Sequence, residues 1–108
     1  MVAVIFEVIP KANKKDEYFD IASELKSTLV TIDGFISIER FQSLADTHKY
    51  LSLSFWEDEA AVTAWRTKIC HREAQNKGRN LIFKDYRIRV AQVMRDYGLN
   101  DRAQVIKD

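Results

Sequence analysis

A chain of 108 residues, 46% hydrophobic and 31% charged, has the composition of one folded domain and excludes a disordered or fibrous protein. No apolar run approaches the roughly 20 residues of a membrane-crossing helix, and the single cysteine, Cys70, excludes an internal disulfide framework and fits a reducing, cytoplasmic compartment. The net charge of +1 hides a split, 6 Lys/Arg against 11 Asp/Glu in residues 1–65 and 9 against 2 in residues 66–95, but a pI near 7.8 argues against a general nucleic-acid binder.

The opening Val2-Ala3-Val4-Ile5-Phe6-Glu7-Val8-Ile9 has no basic flank and reads as a strand covered on both faces, not as a leader peptide. Pro10 ends it, because proline cannot donate to a sheet ladder. Residues 14–30 carry a helical stripe of Tyr18, Ile21, Ala22, Leu25 and Leu29, with Asn13 as the expected N-cap. Asp33-Gly34 marks a turn. Residues 35–43 and 49–56 alternate and form a hairpin through the polar segment 44–48. In the second run Leu51, Leu53 and Phe55 point one way, and Tyr50, Ser52, Ser54 and Trp56 the other.

Glu57-Asp58-Glu59 opens the next helix, where capping and the helix dipole explain three acids better than general acid/base work does. Ala61, Val62, Trp65 and Ile69 form its apolar stripe, and a further helical stretch carries His71, Gln75, Gly78 and Ile82 at spacings of one turn. Residues 85–95 read as a long last strand, and the polar segment from Tyr97 as a tail. The expectation is one domain over residues 1–98 with a tail over 99–108.

The order βαββαβ predicts an α+β, ferredoxin-like fold, an antiparallel four-stranded sheet with two helices on one face. The strands are apolar on both faces, so a second copy of the same sheet is the economical cover for the bare face, and a homodimer is expected. Val90 of the last strand is placed at that contact. The basic segment 66–95 is read first as a solvated face, with attraction of an anionic small molecule into a cleft as the other reading.

Absences narrow the chemistry. Three scattered glycines form no phosphate-cradling loop, and no Gly-x-Ser-x-Gly elbow is present. His48, Cys70 and His71 lack metal-ligand spacing, so no metal is expected. What remains is a cluster of Trp56, Trp65, His71 and Gln75, with Trp56 and Cys70 assigned to packing.

The run Phe55-Trp56-Glu57-Asp58-Glu59-Ala60-Ala61, then Trp65-Arg66, His71, Ala74-Gln75, Gly78-Arg79, Phe83, Asp85-Tyr86-Arg87-Ile88-Arg89-Val90-Ala91 and Arg95-Asp96-Tyr97-Gly98, resembles the antibiotic biosynthesis monooxygenase family. The order of elements and Asp33-Gly34-Phe35 extend that likeness over nearly the whole chain. The resemblance implies a dimeric α+β barrel with a pocket between sheet and helices in each subunit. It also implies a range of activities: quinone-forming monooxygenases, haem degraders, and an isomerase of a phosphorylated ketone.

Trp65 matches the helix tryptophan of the ring monooxygenases and haem degraders, and His71 falls where the ring monooxygenases carry a tyrosine. Their asparagine four residues before the tryptophan is Ala61 here. The haem degraders' first-strand asparagine meets Glu7-Val8, and their histidine meets Gln75 or Asn76.

Oxygen insertion into a phenol needs no bound cofactor if the substrate, once deprotonated, supplies the electrons. Histidine titrates near neutrality, so His71 can serve as the base or be a packed core histidine. Trp65 can be a flat wall or a core residue of its stripe, and Gln75 a neutral donor to developing oxyanion charge. The expected function is cofactor-independent monooxygenation of a small aromatic or polyketide-like compound. The alternatives are an isomerase with His71 as base, a haem-degrading enzyme, and a non-catalytic dimeric ligand-binding protein.

Overall fold

The computed structural model describes residues 1–75 and 82–105, with side chains described for 1–68 and 82–105. Six elements follow in chain order: β1 (Val2–Pro10), α1 (Lys15–Leu29), β2 (Phe35–Gln42), β3 (Tyr50–Trp56), α2 (Glu59–Gln75) and β4 (Phe83–Gln92). All pairs are antiparallel, in the order β2-β3-β1-β4, which is the ferredoxin-like α+β arrangement.

Both helices lie on one face because that face carries the large apolar side chains. Val2, Val4 and Trp56 pack with Leu29, Ile32, Ala61 and Val62, and Val8 and Tyr50 pack with Tyr18 and Ile82. Directly paired residues in antiparallel strands share a face, so the rows Ile38–Ser54–Val4 and Arg40–Ser52–Phe6–Ile88 look toward the helices. A register shift between Phe35 and Ser37 turns Phe35 to the same side, where its ring meets Trp56 edge-on at 5.2 Å. Simple alternation from Phe35 would have sent it the other way.

The helix starts are built differently from one another. Asn13 does not cap α1: Lys14 holds the N-cap position without a side-chain cap bond, and its ammonium instead pairs with Glu17 at 3.0 Å. At α2 the acidic opening does cap, since Asp58 Oδ1 accepts the Ala61 N–H at 2.9 Å. Helix α2 runs on to Gln75 as one element. Gly78 lies outside the described residues, and Ile82 is a buried turn residue ahead of β4. Strand β4 starts earlier and ends sooner than its pattern indicated, since Phe83 already pairs with Pro10, and after Gln92 the Val93 N–H closes on the Met1 carbonyl at 3.0 Å.

Gly34 turns the chain between α1 and β2 with a φ of 91°, and its carbonyl accepts the Glu57 N–H at 2.7 Å. A Cβ there would stand 2.7 Å from the Ala61 Cβ. Backbone freedom and close approach both require glycine at this one turn.

On the sheet face without helices, Ile5, Leu51, Leu53 and Phe55 are half-buried and Phe41 is exposed. Glu7 sits among them, 3.3 Å from Lys49 Nζ and 3.4 Å from Arg89 Nη1. Val90 does not belong to this face. It pairs with Val4 and therefore lies on the helix side, and the β4 residues of the bare face are Asp85, Arg87, Arg89 and Ala91.

Candidate functional site

Strand β3 presents Tyr50, Ser52, Ser54 and Trp56 toward the helices, two large side chains separated by two small ones. The aromatic ends fill the space under α1 and α2. Between them the two serines are too short to reach the helices, and a cavity of about 220 Å³ remains. Tyr18, Ile21, Ala22, Leu25 and Leu29 of α1 roof it, Trp65 of α2 closes one side, and Phe6, Ile82, Phe83, Tyr86 and Ile88 close the other. The whole helical stripe read from residues 14–30 thus faces this space.

Trp65 stacks on Trp56, with ring centroids 5.2 Å apart and 20° between the planes. Trp56 is fully buried, and its Nε1 donates to Ser54 Oγ at 3.0 Å. The buried Trp65 Nε1 has no hydrogen-bond partner among the described residues. An indole N–H sealed from water without an acceptor costs the fold about 1–3 kcal/mol.

The polar groups gather at one end of the cavity. Arg40 of β2 reaches along the sheet until its guanidinium carbon is 5.5 Å from the centre of the Tyr18 ring. Burial pushes the Tyr18 phenol above its usual range, and the positive charge of Arg40 offsets part of that rise. Ser52, paired with Arg40, and Ser54, bonded to Trp56 Nε1, add two hydroxyls to the floor, and the Tyr18 ring also meets Phe83 edge-on at 6.0 Å.

The structure places Trp65 on the cavity wall and Trp56 in the core behind it. The side chains of Cys70, His71 and Gln75 lie outside the described residues. Arg40, Tyr18, Ser52 and Ser54 are site residues that the sequence pattern did not single out as chemistry. A signal for the hollow was present in the large-small-small-large order of β3. Among the described residues no cluster of His, Cys, Asp and Glu could hold a metal ion, and no helix is long and apolar enough to cross a membrane.

The sequence profile described as "Antibiotic biosynthesis monooxygenase" matches residues 1–77, well over half of the chain. The chain belongs to the antibiotic biosynthesis monooxygenase family. Within that family it is 44% identical over 105 residues to the jasmonate monooxygenase ABM of Pyricularia oryzae, a match covering 97% of this chain and 49% of the relative. The chain therefore spans about half the length of that relative. The uncharacterised YqjZ protein of Bacillus subtilis is 31% identical over 93 residues, covering 86% of this chain and 79% of its own. Among solved structures, a point mutant of MhuD with two manganese protoporphyrin IX bound per active site superimposes with a TM-score of 0.72 at 16% identity, over 91% of this chain and 99% of that one. At that identity the likeness is one of fold.

Proposed function

We propose that this member of the family is a cofactor-independent monooxygenase of a small, largely apolar compound bound between the sheet and the helices. The observation that carries the reading is the apolar cavity between sheet and helices, with Trp65 on its wall. The Pyricularia relative, named a jasmonate monooxygenase, supports monooxygenation as the reaction class. The cavity is smaller than the roughly 300–1,000 Å³ of pockets that take drug-sized ligands, which favours a small compound over a porphyrin.

The reaction needs an acidic C–H or O–H next to an electron-rich ring or enol. Loss of that proton to the protein leaves an anion that can reduce dioxygen. Recombination then forms a peroxide, and its loss of water leaves a carbonyl. All four electrons come from the substrate, one oxygen atom enters the product and the other leaves as water. His71 is the proposed base, Gln75 the donor to the developing oxyanion, and Trp65 the wall that orients the ring. A homodimer through the bare sheet face is part of the same proposal, supported by the half-buried Ile5, Leu51, Leu53 and Phe55.

Oxygen uptake with a panel of hydroquinones and anthrones tests the activity, with anaerobic incubation of hydroxyketones as the isomerase arm. In the proposed mechanism His71→Ala lowers oxygen uptake by about 10²–10⁴-fold with the fold intact. Saturable binding with no uptake across the panel would leave a ligand-binding protein. Loss of the Soret band of added haem, with iron release, would put haem degradation first.

A further inference from the structure

Arg40, a solvent-exposed residue of the edge strand β2, borders the cavity. Arg40 is the sole ionic side chain among the described residues that line it. Its place follows from the sheet register: Arg40 pairs with Ser52, Ser52 with Phe6, and Phe6 with Ile88, so one row across the floor runs from cationic through hydroxylic to apolar. No described carboxylate lies within salt-bridge distance of the guanidinium, and Glu39, its chain neighbour, is on the opposite sheet face. Tyr18, a residue only 5% exposed, lines the cavity beside Arg40, with the guanidinium carbon 5.5 Å from its ring centre.

We propose that the cavity binds amphiphilic acids, with Arg40 and Tyr18 holding a carboxylate or a similarly sized oxyanion and the Phe6–Ile88 end holding the apolar body. A guanidinium presents several donors in one plane and matches a carboxylate in paired, charge-assisted hydrogen bonds. A phenol held in its neutral form adds a third donor. The apolar floor and the α1 stripe contribute affinity without direction, so the polar end sets which way round a ligand lies. Under the proposed function that orientation decides which carbon is presented to Trp65. Arg40 is then a specificity-determining residue.

This inference rests on the cavity being the substrate site, but binding tests it apart from turnover. Decanoate and decan-1-ol share an apolar chain and differ in the head group. Their affinities are to be measured at neutral pH by calorimetry, and by quenching of tryptophan fluorescence. The wild type should bind decanoate about tenfold or more tightly than the alcohol, although the alcohol is the more apolar. Arg40→Met should erase that preference by weakening decanoate alone, and Arg40→Lys should keep part of it. Tyr18→Phe should weaken decanoate by several-fold with the alcohol unchanged. Thermal unfolding of each variant checks that the domain is intact. Equal affinity for acid and alcohol in the wild type, no decanoate binding at millimolar concentration, or an Arg40→Met protein that keeps its acid preference would overturn the proposal. Acid binding that depends on Arg40, in a protein that consumes no oxygen with any substrate, would overturn the monooxygenase reading and leave this one standing.

Discussion

The indoles of Trp56 and Trp65 stack at 5.2 Å, yet among the described residues only the N–H of Trp56 finds an acceptor, Ser54. The two rings share a contact and differ in what their polar edge does. Replacing each with Phe separates the two roles. Trp56→Phe removes a fully buried ring edge together with its bond to Ser54. Trp65→Phe removes ring area and also removes a donor that has no acceptor among the described residues, and the second effect offsets the first. Trp56→Phe should therefore cost about 1–3 kcal/mol more than Trp65→Phe in urea unfolding, with Trp65→Phe within about 1 kcal/mol of wild type. Equal costs would mean that the Trp65 donor is satisfied.

Gly34→Ala strains the α1–β2 turn in two ways. The backbone is held at a φ of 91°, and the new methyl would stand 2.7 Å from Ala61 Cβ at the first turn of α2. Left-handed strain and overpacking together should cost about 2–4 kcal/mol. Chemical denaturation of the variant gives the number directly. A change under about half a kcal/mol would show that the turn relaxes freely.

Glu7 titrates on the bare sheet face, and Lys49, then Arg89, hold its carboxyl below the ordinary value of 4.5. A carboxylate with a lowered folded pKa adds stability that is complete above its unfolded value and is lost as pH falls through the folded one. The thermal midpoint of wild type should exceed that of Glu7→Gln at neutral pH. The gap should close as pH drops below 4.5. A gap that widens on acidification would reverse the assignment.

Assembly through the bare sheet face predicts a particle of two chains by light scattering at micromolar concentration, burying at least about 1,200 Å². Leu53 pairs with Ile5 and Glu39 at the middle of that face. Leu53→Asp should abolish the two-chain particle, giving monomer or insoluble protein, because an unpaired charge cannot be buried there. Val90→Asp, on the helix side, should leave the assembly in place. The opposite pattern would move the contact to the other face.

Much of the fold was legible from local pattern. The stripe Tyr18, Ile21, Ala22, Leu25, Leu29 could only be a helix face, and the split of β3 into Leu51/Leu53/Phe55 and Tyr50/Trp56 sides holds in the sheet. These readings succeed because periods of 3.6 and 2 are properties of the backbone. The Asn13 cap failed because a cap is a matter of one or two dihedral angles, and Lys14 takes the position without a side-chain bond. Val90 was misplaced because the phase of a strand relative to the helices depends on its pairing with Val4, not on its own alternation.

The sequence by itself determined the order of the elements, the alternation of each strand, the family likeness and the presence of Trp65 on an apolar stripe, because each depends on residues close together along the chain. Only the tertiary structure decided that Ser52 and Ser54 floor a hollow, that the Trp65 N–H goes unanswered among the described residues, and that Arg40 from an edge strand stands beside Tyr18 from the first helix. Those facts belong to the strand order β2-β3-β1-β4 and to the register shift at Phe35, which bring residues far apart in the chain onto one face. A cavity is the space that packed elements fail to fill, and it has no period along the chain from which it could be read.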